Sequence, residues 1–370
     1  MFRSNFKCGL KPLSNEPVEK PVESEYSTSP NLFAFLEAQN LTICLTSYET
    51  GQLYLIGRNP RGGIMINTQP FGKAMGLFVD DKVMHLATGA QIHRLENCLN
   101  ANERAEELFD HCFVPRTTHT TGPLDAHDVA VDGDGNIMFV NTRFNCIART
   151  STKHSFETVW KPPFISRIVS EDRCHLNGMA LVDGALTYVT AISKSDTIDG
   201  WRDRRSNGGI VLNTQTDQII CEGLSMPHSP RVHQGELWVL NSGTGQLGTI
   251  DQSKSPEDAF TPQIFCPGFV RGLAFHKRFA FIGLSRPRYK RFEGLALDGM
   301  LKKADSEPWC GVQIVDLDKR EVAAWLRIDG SVQEMYDVAV IPDVKCAMSL
   351  NHSAPQMQNL VTWPAHSNAG

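Results

Sequence analysis

Three histidines of this chain lie at places where a recurring short phrase could bring them together. His127 and His228 each open one copy of the phrase, and His175 lies two residues before Asn177 in another copy. Neutral imidazole is a preferred ligand of zinc, copper, iron and nickel, and three imidazoles with an open fourth position suit metal-assisted chemistry. The sequence therefore predicts a divalent transition-metal site formed by His127, His175 and His228. The alternative is that these histidines bond carbonyl groups of neighbouring strands and line a polar channel.

The phrase consists of a polar or bulky residue, then Gly, Asp or Ser, then an aliphatic residue or Pro. Its six copies are Met75-Gly76-Leu77, His127-Asp128-Val129, Asn177-Gly178-Met179, His228-Ser229-Pro230, Arg271-Gly272-Leu273 and Tyr336-Asp337-Val338. Their middle residues are separated by 52, 50, 51, 43 and 65 positions. Repeats of this length filled with short strands are typical of a β-propeller, which places equivalent residues around one axis.

The repeats predict an all-β fold, a single six-bladed β-propeller. In the second full repeat, residues 128–131 and 137–140 are strands joined by an Asp/Gly/Asn turn. We expect N-terminal strands to complete the blade that residues 336–350 begin. Seven blades are the alternative, if residues 32–45 supply an inner strand of their own. We assign residues 1–30 to a disordered leader, 31–355 to the propeller and 356–370 to a C-terminal tail, with a short helix over 32–38.

Further ring residues could assist a reaction at the axis. Tyr336 could move a proton, and Arg271 with Arg231 could stabilise developing negative charge. Arg231 stands two residues after Ser229, where four other repeats carry Ala, and such departures from a local rule concentrate at functional sites. The alternative for Arg231 is a salt bridge between blades.

Cations and flat side chains are concentrated near the predicted channel mouth. Two long connections, 192–207 and 285–310, both follow the second strand of their repeat, so they should lie on the face of the repeat-opening residues. The predicted ligand-binding residues are Asn177, Arg143, Asn241, Trp201, Arg202, Arg205 and Arg286. Arginine pairs well with carboxylate or phosphate, so a small anionic molecule or an acidic peptide is the expected partner. The alternative is solvated loops with acidic neighbours of their own.

Bulk properties exclude several classes of function. The net charge is −5, which gives no reason to expect nucleic acid, and no apolar run approaches the ~20 residues needed to span a bilayer. The N-terminus does not read as a signal peptide. The ten cysteines are scattered singly without a C-x-x-C pair, which indicates a reduced, cytoplasmic chain.

Several phrases are more specific than a generic propeller. They are Cys174-His175-Leu176-Asn177-Gly178, Gly200-Trp201-Arg202-Asp203-Arg204-Arg205, and Ser225-Met226-Pro227-His228-Ser229-Pro230-Arg231. Over about residues 35–350 the chain closely resembles a family of bacterial conserved-hypothetical proteins. This resemblance implies a propeller domain of unassigned biochemical role.

The chain resembles two enzyme classes more loosely. One is the six-bladed lyase that cleaves peptidyl-hydroxyglycine, which holds a metal with histidines from alternate blades. His127 and His228 match its phrases, and Tyr336 stands where that enzyme has its third histidine. The other is the gluconolactonase-type propeller, which uses acidic ligands with an Asn that Asn177 would match. The sequence thus favours a metal-assisted enzyme acting on a small anionic or peptide substrate at the channel mouth, or else a non-catalytic binding module.

Overall fold

The computed structural model describes residues 24–287 and 294–363. The strands of its first half are β1 Ser24–Thr28, β2 Leu41–Ser47, β3 Gln52–Arg58, β4 Ile64–Pro70, β5 Leu77–Asp80, β6 Val83–Ala87, β7 Gln91–Asn97, β8 His111–Thr120, β9 Ala126–Val131, β10 Ile137–Asn141, β11 Cys146–Arg149, β12 Glu157–Trp160 and β13 Leu176–Val182. Those of the second half are β14 Ala185–Ala191, β15 Gly209–Asn213, β16 Gln218–Leu224, β17 Pro227–His233, β18 Glu236–Asn241, β19 Gln246–Ile250, β20 Phe260–Phe265, β21 Phe269–His276, β22 Phe279–Ser285, β23 Gly311–Asp316, β24 Glu321–Gly330, β25 Asp337–Pro342 and β26 Ala347–Ser349.

These strands form six sheets, so the predicted six-bladed propeller is confirmed and the seven-bladed alternative is wrong. With the innermost strand first, blade 1 is β25-β2-β3-β4, and blades 2 to 6 are built from β5–β8, β9–β12, β13–β16, β17–β20 and β21–β24. Blade 1 joins the two ends of the chain, because β25 pairs with β2 in a register that places Ile43 opposite Val340. The predicted closure by N-terminal strands is therefore confirmed. Such closure leaves no open edge between the first and last blades.

Two outer strands differ from the expectation. Residues 336–350 were expected to begin one blade together, but the place beside β25 is filled by β2 with seven buried residues. The later segment instead forms β26, which pairs in parallel with β8 at the outer edge of blade 2. At blade 6, β1 pairs with β24, so the last part of the predicted leader is a fifth strand. Residues 1–23 and 364–370 lie outside the described part.

Two α-helices occur in the described residues. Helix α1, Leu32–Gln39, confirms the helix predicted over 32–38, and its buried Leu32 and Leu36 join the core between blades 1 and 6. It ends at Asn40, whose positive φ of 50° is a common helix stop. Helix α2, Leu297–Lys303, lies in the second long connection. No helix among the described residues is long and apolar enough to cross a membrane.

Alternation around the axis explains the middle residue of the repeated phrase. Blades 2, 4 and 6 carry Gly, and blades 3, 5 and 1 carry Asp or Ser. Each Gly lies against the backbone of the next blade: an added Cβ would stand 2.9 Å from Cα of Asp128 at Gly76, 3.0 Å from N of Ser229 at Gly178, and 2.6 Å from N of Val338 at Gly272. Glycine is therefore required at these positions because a larger residue would push neighbouring blades apart.

The polar middle residues make the complementary link to the blade that follows. Asp128 accepts a hydrogen bond from N of Met179 at 3.1 Å, Ser229 from N of Gly272 at 3.1 Å, and Asp337 from N of Leu77 at 2.8 Å. Close Gly contacts and side-chain hydrogen bonds thus alternate around the ring. The propeller therefore has a pseudo-threefold order of blade pairs, and His127, His228 and Tyr336 occupy equivalent places in it.

Candidate functional site

A cavity of about 890 Å³ lies at the channel mouth where the inner strands begin. Ring residues and both long connections contribute to its walls, as predicted. The predicted site residues among its lining are His127, His175, His228, Arg271, Tyr336, Trp201, Arg202, Arg205 and Arg286. Six blades and two insertions therefore converge on a single site, at the position that the repeat implies.

A backbone feature shared by four blades aims a second layer of side chains at this cavity. Lys73, Asp125, His175 and Met226 each have a positive φ, between 47° and 52°, and each lies two residues before a ring residue. All four line the cavity. A positive φ is uncommon outside Gly and marks a specified turn. This turn explains why His175, which is not itself at the ring position, reaches the same cavity as His127.

His127 is held by oxygen atoms of its own blade. Its Nδ1 lies 2.9 Å from the carbonyl oxygen of Asp125 and 2.8 Å from Oγ1 of Thr142. The Thr142 hydroxyl donates to the carbonyl oxygen of Leu176 at 2.6 Å, which leaves it free to accept from the imidazole. Because a carbonyl can only accept, Nδ1 carries the proton, and the lone pair of Nε2 is available for proton transfer or a ligand.

His228 repeats this arrangement two blades away. Its Nδ1 lies 2.9 Å from the carbonyl oxygen of Met226 and 3.0 Å from Oγ of Ser242. Burial, with the nearby Arg271 cation as second cause, holds the pKa of both His127 and His228 well below 6.5. Both imidazoles are therefore neutral at physiological pH and can act as bases.

His175 lies beside His127, with ring centroids 4.9 Å apart and planes at 87°. Its Nδ1 lies 2.6 Å from Oδ2 of Asp172, which orients the imidazole. On another side it stacks on Trp201 at 4.2 Å, and the Arg202 guanidinium lies 4.5 Å from the centroid of the same Trp201 ring. His175 and Trp201 thus give one wall of the cavity a flat aromatic surface.

Arg271 and Tyr336 form the opposite part of the ring. The guanidinium carbon of Arg271 lies 3.6 Å from the centroid of the Tyr336 ring, and that ring lies 5.5 Å from His127. Among the described residues, Arg271 has no hydrogen-bond or ion-pair partner, and the buried Tyr336 hydroxyl has none either. Burial raises the pKa of Tyr336 well above 10, although Arg271 opposes the shift. The phenol is therefore a protonated donor at neutral pH.

The predicted three-histidine metal site is not formed as such. No group of three or more His, Cys, Asp or Glu side chains within residues 24–287 and 294–363 is arranged to hold a metal ion. The three imidazoles do share one property of metal-binding histidines, since each Nδ1 bonds an oxygen and each Nε2 remains available. Metal binding therefore stays a prediction.

Three predicted ligand-binding residues lie outside the cavity wall and make structural hydrogen bonds. Asn177 accepts from Oγ1 of Thr190 at 2.7 Å, and Asn241 accepts from N of Ser225 at 2.8 Å. Arg143 is an exposed residue that donates to Oγ of Ser170 at 2.7 Å. The sequence placed them correctly at the ends of inner strands, but side-chain direction within a turn decides what reaches the cavity.

Arg231 forms a salt bridge between blades, which is the alternative that the sequence analysis gave for this residue. It binds Asp128 with two short contacts, 2.8 and 3.1 Å, and lies 4.0 Å from Asp337. It lies further along the channel, where it lines a second cavity of about 540 Å³ with the far ends of the inner strands. Arg231 is therefore not among the residues that line the cavity with His127, and its place in the structure is that of the salt bridge.

Two arginines of the long connections have acidic neighbours, as the alternative of solvated loops predicts. Arg202 pairs with Asp199 at 2.9 Å, and Arg286 pairs with Asp329. Both still line the cavity, as does Arg205. Residues 288–293 of the second long connection lie outside the described part.

Sequence reasoning missed several residues that complete the site. Thr142 and Ser242, which fix the two imidazoles, both follow an Asn at the end of a second strand, in Asn141-Thr142 and Asn241-Ser242. That repeated Asn-hydroxyl pair was a signal available in the sequence. Lys73 and Asp125 could not be found this way, because only the positive-φ turn brings them into the cavity.

The fold and this ring define the chain as a six-bladed β-propeller with a cavity at its axis. The chain belongs to the family described as a domain of unknown function (DUF4915), which matches residues 30–350. The resemblance to an uncharacterised propeller family is thereby confirmed. No curated protein matches the chain in sequence.

The chain is similar to several solved structures at low sequence identity. A chain of the nidogen/laminin complex is 12% identical, with a TM-score of 0.51 over 82% of this chain and 99% of that one. Virginiamycin B lyase from Staphylococcus aureus is 12% identical, with a TM-score of 0.39 over 83% and 99%. A gluconolactonase from Xanthomonas campestris is 14% identical, with a TM-score of 0.41 over 67% and 80%. At these identities the likeness concerns the fold alone.

Proposed function

We propose that the axial cavity binds a small organic anion and that His127, His228 and Tyr336 transfer protons on it. One observation carries this proposal. The Arg271 guanidinium has no counter-ion among the described residues, and it lies 3.6 Å above a tyrosine whose buried hydroxyl has no partner. A bound carboxylate or phosphate would provide the anion for Arg271 and the acceptor for Tyr336.

The charge balance of the cavity wall supports an anionic ligand. Its described lining contains five cationic side chains, Lys73, Arg202, Arg205, Arg271 and Arg286, and one carboxylate, Asp125. Arg202 and Arg286 also have acidic neighbours, whereas Arg271 lies over the Tyr336 ring without an acidic partner among the described residues. Because the whole chain has a net charge of −5, this local excess of cations is a departure from its average.

The states of the ring side chains support proton transfer. A neutral His127 or His228 can remove a proton through Nε2, while the hydroxyl of Thr142 or Ser242 and a carbonyl stabilise the imidazolium that forms. The protonated Tyr336 can donate to a leaving or developing oxyanion, and Arg271 can stabilise its charge. These roles fit a lyase, an isomerase or a hydrolase acting on a small anionic or peptide substrate.

Ligand binding by the wild-type protein and two arginine variants tests the proposal. A panel of monocarboxylates, dicarboxylates and sugar phosphates is screened by thermal shift, and hits are titrated by calorimetry. Arg271→Gln should weaken binding by about 10- to 100-fold, since a hydrogen bond to a charged group contributes about 1.5–3 kcal/mol. Arg143→Gln is the matched control, because Arg143 is exposed and lies outside the cavity wall. Equal affinity in all three proteins would refute the proposal.

Metal assistance by zinc, copper or iron is tested separately. Protein purified without a polyhistidine tag is analysed for metals, together with the His127→Ala and His228→Ala variants. Near-stoichiometric metal that both variants lose would support metal-assisted chemistry. Metal-free protein that still binds its anion through Arg271 would instead support acid–base chemistry that needs no metal ion.

A non-catalytic module for an acidic partner is the second candidate. It is favoured by the exposed arginines at the rim, where Arg202 and Arg205 border a further cavity of about 530 Å³ beside Trp201. Charge reversal of both residues, Arg202→Glu with Arg205→Glu, would then abolish partner binding while Arg271→Gln leaves it intact. The opposite pattern would favour the small-anion site.

We also propose that the protein works in a reducing compartment, the cytoplasm. The nine cysteines of the described residues are all free, and eight of them are buried. Trapping thiols by rapid alkylation in intact cells tests this idea. Extensive disulfide formation in protein isolated in that way would contradict it.

A further inference from the structure

Two cysteines outside the cavity face each other across paired strands of blade 2. Cys98 directly follows β7, and Cys112 lies in β8. The register places Asn97 opposite Phe113, and the backbone N of Cys98 donates to O of Cys112 at 2.9 Å, so the two cysteines are directly opposed. Only one backbone bond joins the two cysteines, since N of Cys112 donates to Oδ1 of Asn97. Directly opposed residues of antiparallel strands have Cα atoms about 4.5–5.5 Å apart, within the range that a disulfide spans.

The two thiols also differ from the other described cysteines in their surroundings. Cys98 is half-buried, whereas Cys112 is buried in an apolar cluster. A hydrogen bond from the Cys112 thiol lowers the pKa of Cys98 to about 7, while the pKa of Cys112 is raised. Burial raises the thiol pKa of the remaining cysteines, for example Cys346. Cys98 is thus the accessible thiol that ionises readily, with a second thiol beside it.

We propose that Cys98 and Cys112 form an oxidation site that converts reversibly between two thiols and an intrachain disulfide. The oxidant is hydrogen peroxide, and the reductant that restores the two thiols is a dithiol, which is itself oxidised to a disulfide. The Cys98 thiolate attacks one peroxide oxygen, the O–O bond breaks, and the released hydroxide takes up a proton to leave as water. The Cys112 sulfur then attacks the Cys98 sulfenic acid, the S–O bond breaks, and a second water carries away the remaining proton. The two sulfurs lose two electrons together and the peroxide gains them.

The position of this site connects it to closure of the propeller. The loop between the two cysteines ends at Asp110, whose N donates to O of Cys346 at 2.8 Å. The Asp110 carboxylate also accepts from N of Lys345 and N of Cys346, both at 3.1 Å. The same loop therefore holds the start of the C-terminal strand against blade 2. A disulfide would fix both ends of that loop and so stabilise the attachment of β26.

Peptide mapping of the full-length protein tests the proposal. The Cys8→Ser variant serves as background, so that the N-terminal thiol outside the described residues does not react. After treatment with hydrogen peroxide and alkylation without reductant, trypsin separates the cysteines, because Arg104 lies between them and Arg94 and Arg116 flank them. We expect a linked pair of the peptides 95–104 and 105–116, which dithiothreitol separates.

Two further variants make the result decisive. Cys98→Ser should abolish the linked pair, whereas Cys346→Ser, which removes another thiol of the same apolar cluster, should leave it unchanged. Oxidation should also raise the thermal unfolding temperature of the background protein but not that of Cys98→Ser. A link between Cys112 and Cys346, or oxidation of Cys98 only to sulfinic acid without any link, would overturn the proposal.

Discussion

Removal of the Arg231 guanidinium should destabilise the propeller strongly and in a pH-dependent way. Arg231 is the only cation within 4.0 Å of both Asp128 and Asp337 in the described structure, and the side chains of both acids are about 95% buried. Arg231→Met keeps the apolar stem and leaves the two carboxylates facing each other. Breaking a buried ion pair in this way costs about 3–5 kcal/mol of the free energy of unfolding.

The pH dependence follows from Asp337. Burial, with Asp128 as second cause, raises its pKa from 3.8 to about 7, although Arg231 opposes the shift. A raised carboxyl pKa means that the folded state binds the proton more tightly. The stability that this group contributes is therefore fully present below about pH 3.8 and is lost as the pH rises through about 7. A shift of this size corresponds to a loss on the order of 4 kcal/mol.

Without Arg231 the pKa of Asp337 should rise further. Arg231→Met should therefore lose more stability at about pH 8 than at about pH 5, because at pH 8 the folded variant must hold on Asp337 a proton that the unfolded chain releases, whereas the wild-type Asp337 is charged beside Arg231. Urea unfolding followed by tryptophan fluorescence at both pH values measures the difference. Arg278→Met, which removes a half-exposed partner of Asp316, is the control and should cost at most about 1 kcal/mol. Equal losses at the two pH values would refute the coupling of the central charges.

Two further substitutions test close packing and the role of the phenol. Gly178→Ala should destabilise by about 1–3 kcal/mol or more, because its Cβ would stand 2.4 Å from Cδ of Pro230. Gly299→Ala in α2, where an added Cβ meets nothing within 4 Å, should instead gain about 0.5–1 kcal/mol in thermal or urea unfolding. Tyr336→Phe should leave stability unchanged or slightly higher, because the hydroxyl has no partner, yet weaken anion binding in calorimetry. A large loss of stability in Tyr336→Phe would show that the hydroxyl has a structural role.

The sequence predicted the parts of this molecule that repeat. The blade count, the closure through blade 1 and the face that carries both insertions all followed from the phrase and its spacing, because circular closure leaves few alternatives. Helix α1 was predicted by the apolar run after Asn31. The position of β26 beside β8 was not predicted. Residues 346–350 resemble any other returning strand, and β2, which pairs with β25 instead, lies about 300 positions earlier in the chain.

The site was predicted less completely, for a physical reason. Ring position fixes which Cα atoms approach the axis, but backbone conformation decides which side chains enter the cavity. Asn177 and Asn241 turn into hydrogen bonds of their own blades, while Asp125 and Lys73 enter through positive-φ turns. Arg231 shows the same limit. The sequence shows that Arg231 stands where four other repeats carry Ala, but it does not show how deep in the channel Arg231 lies.

The pseudo-threefold order of the blade pairs explains why this blade carries Arg231 where four other repeats carry Ala. At the three places where one blade donates its backbone N–H to the previous blade, the acceptors are Asp128, Ser229 and Asp337. A third acid in place of Ser229 would accept the hydrogen bond equally well but would bring a third negative charge into a narrow channel. The chain instead has a neutral hydroxyl there and a cation two residues later, so that Arg231 faces two carboxylates, of which Asp337 stays partly protonated near neutral pH. The charges at the centre of the ring are thereby close to balanced, and the positive potential of Arg271 remains available to the cavity above.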